Sequence, residues 1–232
     1  MSPRRLAAGA AVGLALLLFW DKLIPGPAPT RPKDFGSAPL GEVLAKLPPR
    51  NVGRFAKPGD PLNLVFVGDA EQVEAALREA GWTRIPLRNC ASVRAALGEL
   101  LRGGMFRSFP PMNLYRLHGR FQDFNWSIPI TPLAQRHHFR LWRSGWKDEN
   151  RRDIWWGSAN LDIAVRYWDL SHTPHPDMPA ERAFIASTLE GSRWVASSRL
   201  QPVPQVPLEG VNDKGYPFHT DAKALVVVLK MP

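Results

Sequence analysis

A chain of 232 residues, 44% hydrophobic and 22% charged, has an ordinary globular composition and room for one domain with its own core, or one domain plus an anchor. The formal net charge of +9 suits a nucleic acid, an anionic membrane surface or a phosphate-bearing ligand. The single cysteine, Cys90, excludes an internal disulfide and any cysteine-rich zinc site, and reads as a small buried filler.

Residues 1–24 read as an N-terminal hydrophobic anchor or a signal segment. Arg4 and Arg5 precede an uncharged run from Leu6 to Trp20, whose fifteen residues fall short of the roughly 20 that cross a bilayer as a helix. A signal-peptide core therefore stays open. Against cleavage, DKLIPGPAPT follows with no A-x-A site, while Trp20 and Lys22 suit an interfacial end. The paired arginines favour that end staying inside, which would leave the rest of the chain in the periplasm or exterior. Residues 25–60 are proline-rich and linker-like; Leu40 to Leu47 is either a short helix or, more simply, part of an extended tether.

The globular domain is expected over residues 61–232. LNLVFV is a buried strand, Asp69 caps a helix with Gln72 at the matching third position, and Val73, Ala76, Leu77 and Ala80 keep helical spacing until Gly81. The turn VGDAEQ lacks the glycine-rich phosphate loop of a nucleotide fold. A second helix starts near Ser92, and Tyr115 to Ser127 reads as one long or two short strands. Farther on, RWVASSR and ALVVVLK are strands. Strands outnumber helices without regular alternation, so the class is α+β: a mostly antiparallel mixed sheet with about three packed helices.

The stretch from Arg136 to Arg182 concentrates the chemistry, with Trp142, Trp146, Trp155, Trp156 and Trp168 among its aromatic residues and four of the six histidines, at 137, 138, 172 and 175. RHHFRLW and IWWGSANLDIAV flank a polar turn, which is the pattern of a hairpin. Period-two alternation puts His138, Arg140 and Trp142 on one face; Trp156, Ser158, Asn160 and Asp162 share another, unless a bulge at Gly157 shifts the count. Pairing those polar faces would bring His138 to Asp162. After SHTPHPDMP, Asp177 caps a helix, Pro179 suits its first turn, Glu181 lies in that turn and Gly191 stops it.

The motifs H-x-R-x-W, W-x-G-x-A-x-x-D, S-H and a helix opening on E-R, in that order, resemble the LssY C-terminal domain family of bacterial envelope proteins. The matching residues are His138, Arg140, Trp142, Trp156, Gly157, Ala159, Asp162, His172, Glu181 and Arg182. Upstream, PLNLVFVGD, the AGW at Ala80 to Trp82 and the LHGRFQD at Leu117 to Asp123 fit as well, so the resemblance covers about Pro61 to Val195. His175 and Pro179 stand where acids are expected, and Ala183 follows the Glu-Arg pair where another acid is usual; a metal site relying on those acids is undercut. The resemblance implies an envelope setting and no established activity.

Two chemistries fit the set. His138 and His172 with Asp162 or Glu181 would hold a divalent metal and its nucleophilic water, although no H-E-x-x-H motif occurs. Alternatively, a histidine acts as base or nucleophile oriented by Asp162, while Arg140 and Arg182 hold an anion and Trp142 and Trp156 line the substrate. No G-x-S-x-G elbow supports serine catalysis. The blander reading is structural: a lone histidine is usually a satisfied core residue, Arg140 with Asp162 makes a simple ion pair, and Glu181 is stabilised by the helix dipole whether or not it works. The excess basic charge falls between Arg84 and Arg152, thirteen Lys and Arg against four acids. Nucleic acid needs a recognisable module, and none is visible. The leading expectation is a hydrolase-like site, with His138, Asp162, His172 and Glu181 converging, for an anionic lipid or envelope polymer at the membrane. The rival is a non-catalytic module that binds such a ligand.

Overall fold

A computed structural model describes residues 30–231 apart from 102–106, 108–110, 133 and 167–170. The expected anchor at 1–24, Trp168 and the Cys90 side chain lie outside the described residues. Within them no helix is long and apolar enough to cross a membrane.

The domain is organised on a long antiparallel hairpin, β9 (Arg136–Lys147) and β10 (Asp153–Arg166). On its outer side each strand is longer than any one neighbour, so it takes two. Along β9, β8 (Phe124–Pro129) pairs with the His138 end and β1 (Gly36–Ser37) with the Trp146 end. Along β10, β4 (Leu64–Val67) pairs with Ile154–Gly157, and β11 (Ser171–Pro174) with Asp162–Arg166. Beyond β4 lie β15 (Lys223–Leu229), parallel to it, and then β12 (Val195–Pro202); β5 (Thr83–Ile85) closes the other edge beside β8. Two small sheets complete the strands: β2 (Arg50–Val52) with β3 (Pro58–Pro61), β6 (Arg116–Leu117) and β7 (Arg120–Phe121), and the hairpin β13 (Glu209–Val211) with β14 (Pro217–His219). The class is α+β with mostly antiparallel mixed sheets, and the described residues contain four helices: α1 (Leu40–Ala45), α2 (Ala70–Glu79), α3 (Asn89–Leu101) and α4 (Met178–Leu189).

Both faces of the main sheet are covered, so its central strands lack the polar-outward alternation of a half-exposed sheet. One face buries Leu64, Phe66, Phe139, Leu141, Trp155 and Val227 against Val73, Ala76 and Leu77 of α2 and Ile185 and Leu189 of α4. The other buries Val65, Val67, Trp142, Trp156 and Val226 against Val43 and Leu44 of α1, Leu47 and Val203. Residues 36–61 therefore depart from the expected tether: Val43, Leu44 and Leu47 give that segment enough apolar surface to dock, and prolines such as Pro39, Pro58 and Pro61 bound its short elements.

Local signals acted where expected. The Asp69 backbone N–H donates to Gln72 Oε1 (2.8 Å) at the start of α2, and Ala180 N–H donates to Asp177 Oδ1 (3.0 Å) at the start of α4. Gly81 and Gly191 follow these helices at φ of 84° and 73°, which favours glycine. Gly157 is not a bulge. The pairing with β9 runs unbroken from Trp155 to Asp162, and a Cβ at Gly157 would lie 2.8 Å from Leu141 Cδ2 and 2.9 Å from Leu64 Cβ. Glycine is needed there for close approach of the strands.

Candidate functional site

Period-two alternation along β9 and β10 sends Arg136, His138 and Arg140 to the face opposite α4, with Asn160 and Asp162 beside them across the hairpin. Trp142 and Trp156 fill the apolar half of this face, so the polar set occupies its other half. His172 arrives on β11, Asp60 on β3, and Asn212, Lys214 and Tyr216 from the β13–β14 hairpin. Asn113 and Tyr115 precede β6 at the wall. Together these residues line a recess of about 50 Å³. That is room for one compact polar group, far below the ~300–1,000 Å³ of pockets that enclose a drug-sized ligand.

Asp162 is the hub. Its Oδ2 accepts a hydrogen bond from Arg136 Nε at 3.0 Å and lies 3.4 Å from both His138 Nδ1 and His172 Nδ1. Burial opposes the Asp162 charge, but the donors and cationic groups around it outweigh that and hold the carboxyl below its ordinary range. Burial also drives His138 well below the usual imidazole range, helped by Arg140, Arg136 and His172 against Asp162; His172 is lowered for the same first reason, with Arg136, Lys214 and Arg140 adding to it. Both rings are thus biased to the neutral form, which leaves Arg136 as the durable charge partner of Asp162. His138 Nδ1 is at ion-pair distance but makes no hydrogen bond.

Arg140 is only 4% exposed; its guanidinium stacks over Tyr115 at 4.5 Å, and its Nε donates to the Asn113 carbonyl (3.2 Å). Its Nη1 is a buried donor without a hydrogen-bond partner, 3.8 Å from Asp60 Oδ2. An unmet guanidinium donor costs more than an unmet neutral one, and its nearest carboxylate, Asp60, stops short of hydrogen-bond range.

The family model described as LssY C-terminus matches residues 44–223. The chain belongs to the LssY C-terminus family. No curated protein and no solved structure matches this LssY C-terminal domain.

The structure brings together three of the four residues expected to converge: His138, Asp162 and His172, with Arg140 beside them. Glu181 lies on the opposite face. Its Oε2 is 2.6 Å from His137 Nδ1, whose ring stacks on Phe184 at 3.5 Å. Arg182 is likewise withdrawn, since it donates twice to Asp221 and once to the Lys223 carbonyl, all at 2.7 Å, and ties α4 to the start of β15. Trp142 and Trp156 are core residues, each 1% exposed, and border a different cavity with Leu117 and His118. His175 donates its backbone N–H to the Leu161 carbonyl (2.7 Å), and its Nδ1 accepts from Asp177 N–H (3.2 Å), a turn-forming role.

Sequence reading missed Arg136, which the same alternation that selected His138 and Arg140 would have found. It also missed Asp60, Asn212, Lys214 and Tyr216, for which no local pattern exists. Among the described residues, no group of three His, Cys, Asp or Glu side chains is arranged to hold a metal ion.

Proposed function

We propose that this LssY C-terminal domain is a phosphoester-type hydrolase acting on a compact anionic group of an envelope lipid or polymer. The observation that carries the reading is the shared carboxylate. Asp162 Oδ2 faces Nδ1 of His172, the arrangement that orients an imidazole and leaves its other ring nitrogen to take a proton from water or to attack. Burial keeps that imidazole neutral, as a base must be. Arg140 and Lys214 border the recess and hold the phosphoryl oxygens. His138 is the second neutral imidazole on the same carboxylate, and Arg136 keeps Asp162 ionised. The recess accepts the charged group while the remainder of the substrate stays outside. The hydrophobic run at Leu6 to Trp20 supports a membrane-proximal setting for such a substrate.

The test is turnover by the purified full chain on phosphomonoesters and phosphodiesters, with and without divalent cations, beside His172→Ala. Turnover by the wild type that the variant loses is expected; turnover absent from both, or equal in both, removes the enzymatic reading. The unpartnered Arg140 Nη1 favours one other reading, a binding module for the same anion. Saturable phosphate binding without turnover, lost in Arg140→Ala, would establish it instead.

A further inference from the structure

The recess holds a second carboxyl whose surroundings are the inverse of those of Asp162. Asp60 lies within β3 and is only 6% exposed. Its backbone N–H donates to Asn51 Oδ1 (3.0 Å), and a Cβ at the preceding Gly59 would lie 2.9 Å from the Tyr115 ring, so the main chain is pressed into the wall of the recess. Its Oδ1 accepts from the neutral amide of Asn212 (2.9 Å). Its Oδ2 has Arg140 Nη1 at 3.8 Å, outside hydrogen-bond range, whereas Asp162 is hydrogen-bonded by Arg136. The charged neighbours are Arg50 from β2, Arg140 from β9, and Asp213 and Lys214 from the β13–β14 turn, with Tyr115 opposite.

We infer that Asp60 is the general acid of this site, the group that delivers a proton to the oxygen leaving phosphorus. The inference rests on the hydrolase reading. Burial raises the Asp60 carboxyl above its ordinary range despite Arg140, Asn212 and Lys214, while Asp162 is lowered. Two carboxyls of one site pushed apart in this way take opposite proton roles. In the step, a water oxygen bonds to phosphorus as its proton passes to His172. The bond from phosphorus to the ester oxygen breaks, and that oxygen takes the Asp60 proton. Alcohol and phosphate result, and solvent carries the His172 proton back to Asp60. No oxidant, reductant or further co-reactant is needed.

The experiment is a series of phosphate esters, from 4-nitrophenyl to simple alkyl, turned over by the full chain and by Asp60→Asn. A nitrophenolate leaves without a proton and an alkoxide does not. The variant should lose about a hundredfold or more in kcat/KM on alkyl esters and less than about fivefold on the nitrophenyl ester. Equal losses across the series would make Asp60 a structural residue and leave the hydrolase reading intact. If Asp60→Asn does not fold, the wild-type series decides alone: a shallow dependence of rate on leaving-group acidity supports the acid, and a steep one overturns it. No turnover of any ester by the wild type would remove the hydrolase reading, and the role of Asp60 with it.

Discussion

His137 and His138 leave β9 on opposite faces of the sheet, and each meets a carboxylate. On the α4 side, Glu181 takes His137 at 2.6 Å and Phe184 covers the ring. That contact completes the docking of a helix. On the other side, His138 shares Asp162 with Arg136 and His172 at the edge of a recess that also holds Arg140 and Asp60. The same residue types become a clasp or a site according to what surrounds them. Asp162 borders a recess that can admit a ligand, whereas Glu181 is closed in between α4 and the sheet although its Oε1 has no hydrogen-bond partner.

The largest expected effect tests whether chemistry belongs to one face only. Asp162→Asn should cut turnover about a thousandfold, because it removes the charge that orients His172 and stabilises it once protonated. Steady-state kinetics on the best phosphate ester would measure it, and a loss below tenfold would count against the hub. Next comes a stability effect. Arg136→Ala strips a hydrogen-bonded partner from a buried carboxylate, and chemical denaturation should show a loss of about 3 kcal/mol or more.

Acid should weaken the His138 face. His138 and His172 are held below the ordinary imidazole value of 6.5, so as pH falls through that value the unfolded chain takes up protons that the folded chain refuses. Stability present above pH 6.5 is then lost progressively toward the lower folded values. Urea midpoints at neutral pH and about one to two units lower would show it, and His138→Gln should shrink the loss. An unchanged pH profile in that variant would mean that His138 is not a neutral buried ring. The smallest effect belongs to the other face. Glu181→Gln should leave kcat within about threefold of the wild type, since Glu181 is outside the recess; a hundredfold loss would show the two faces to be coupled through β9.

Much of the scaffold was legible. The β9–β10 hairpin follows from aromatic and β-branched runs around a polar turn, and α2 and α4 follow from their caps and from Gly81 and Gly191. Part of the site was legible for the same reason, because alternation alone places His138 and Arg140 on one face. Glu181 was misplaced because its position in the first turn of α4 says nothing about which face of the sheet the helix covers. Asp60 and Asn212 were invisible for a different reason. They are 152 residues apart in sequence, and the hydrogen bond between them exists only once β3 and the β13–β14 turn meet.

The sequence by itself determined the strands, the caps and the side to which each hairpin residue points, because these depend on interactions between residues near one another in the chain. Only the tertiary structure decided which carboxylate each histidine would meet and which side of the sheet would keep an open polar recess. The long-range packing of α4 on one face, and of β3 and β13–β14 on the other, has no local signature.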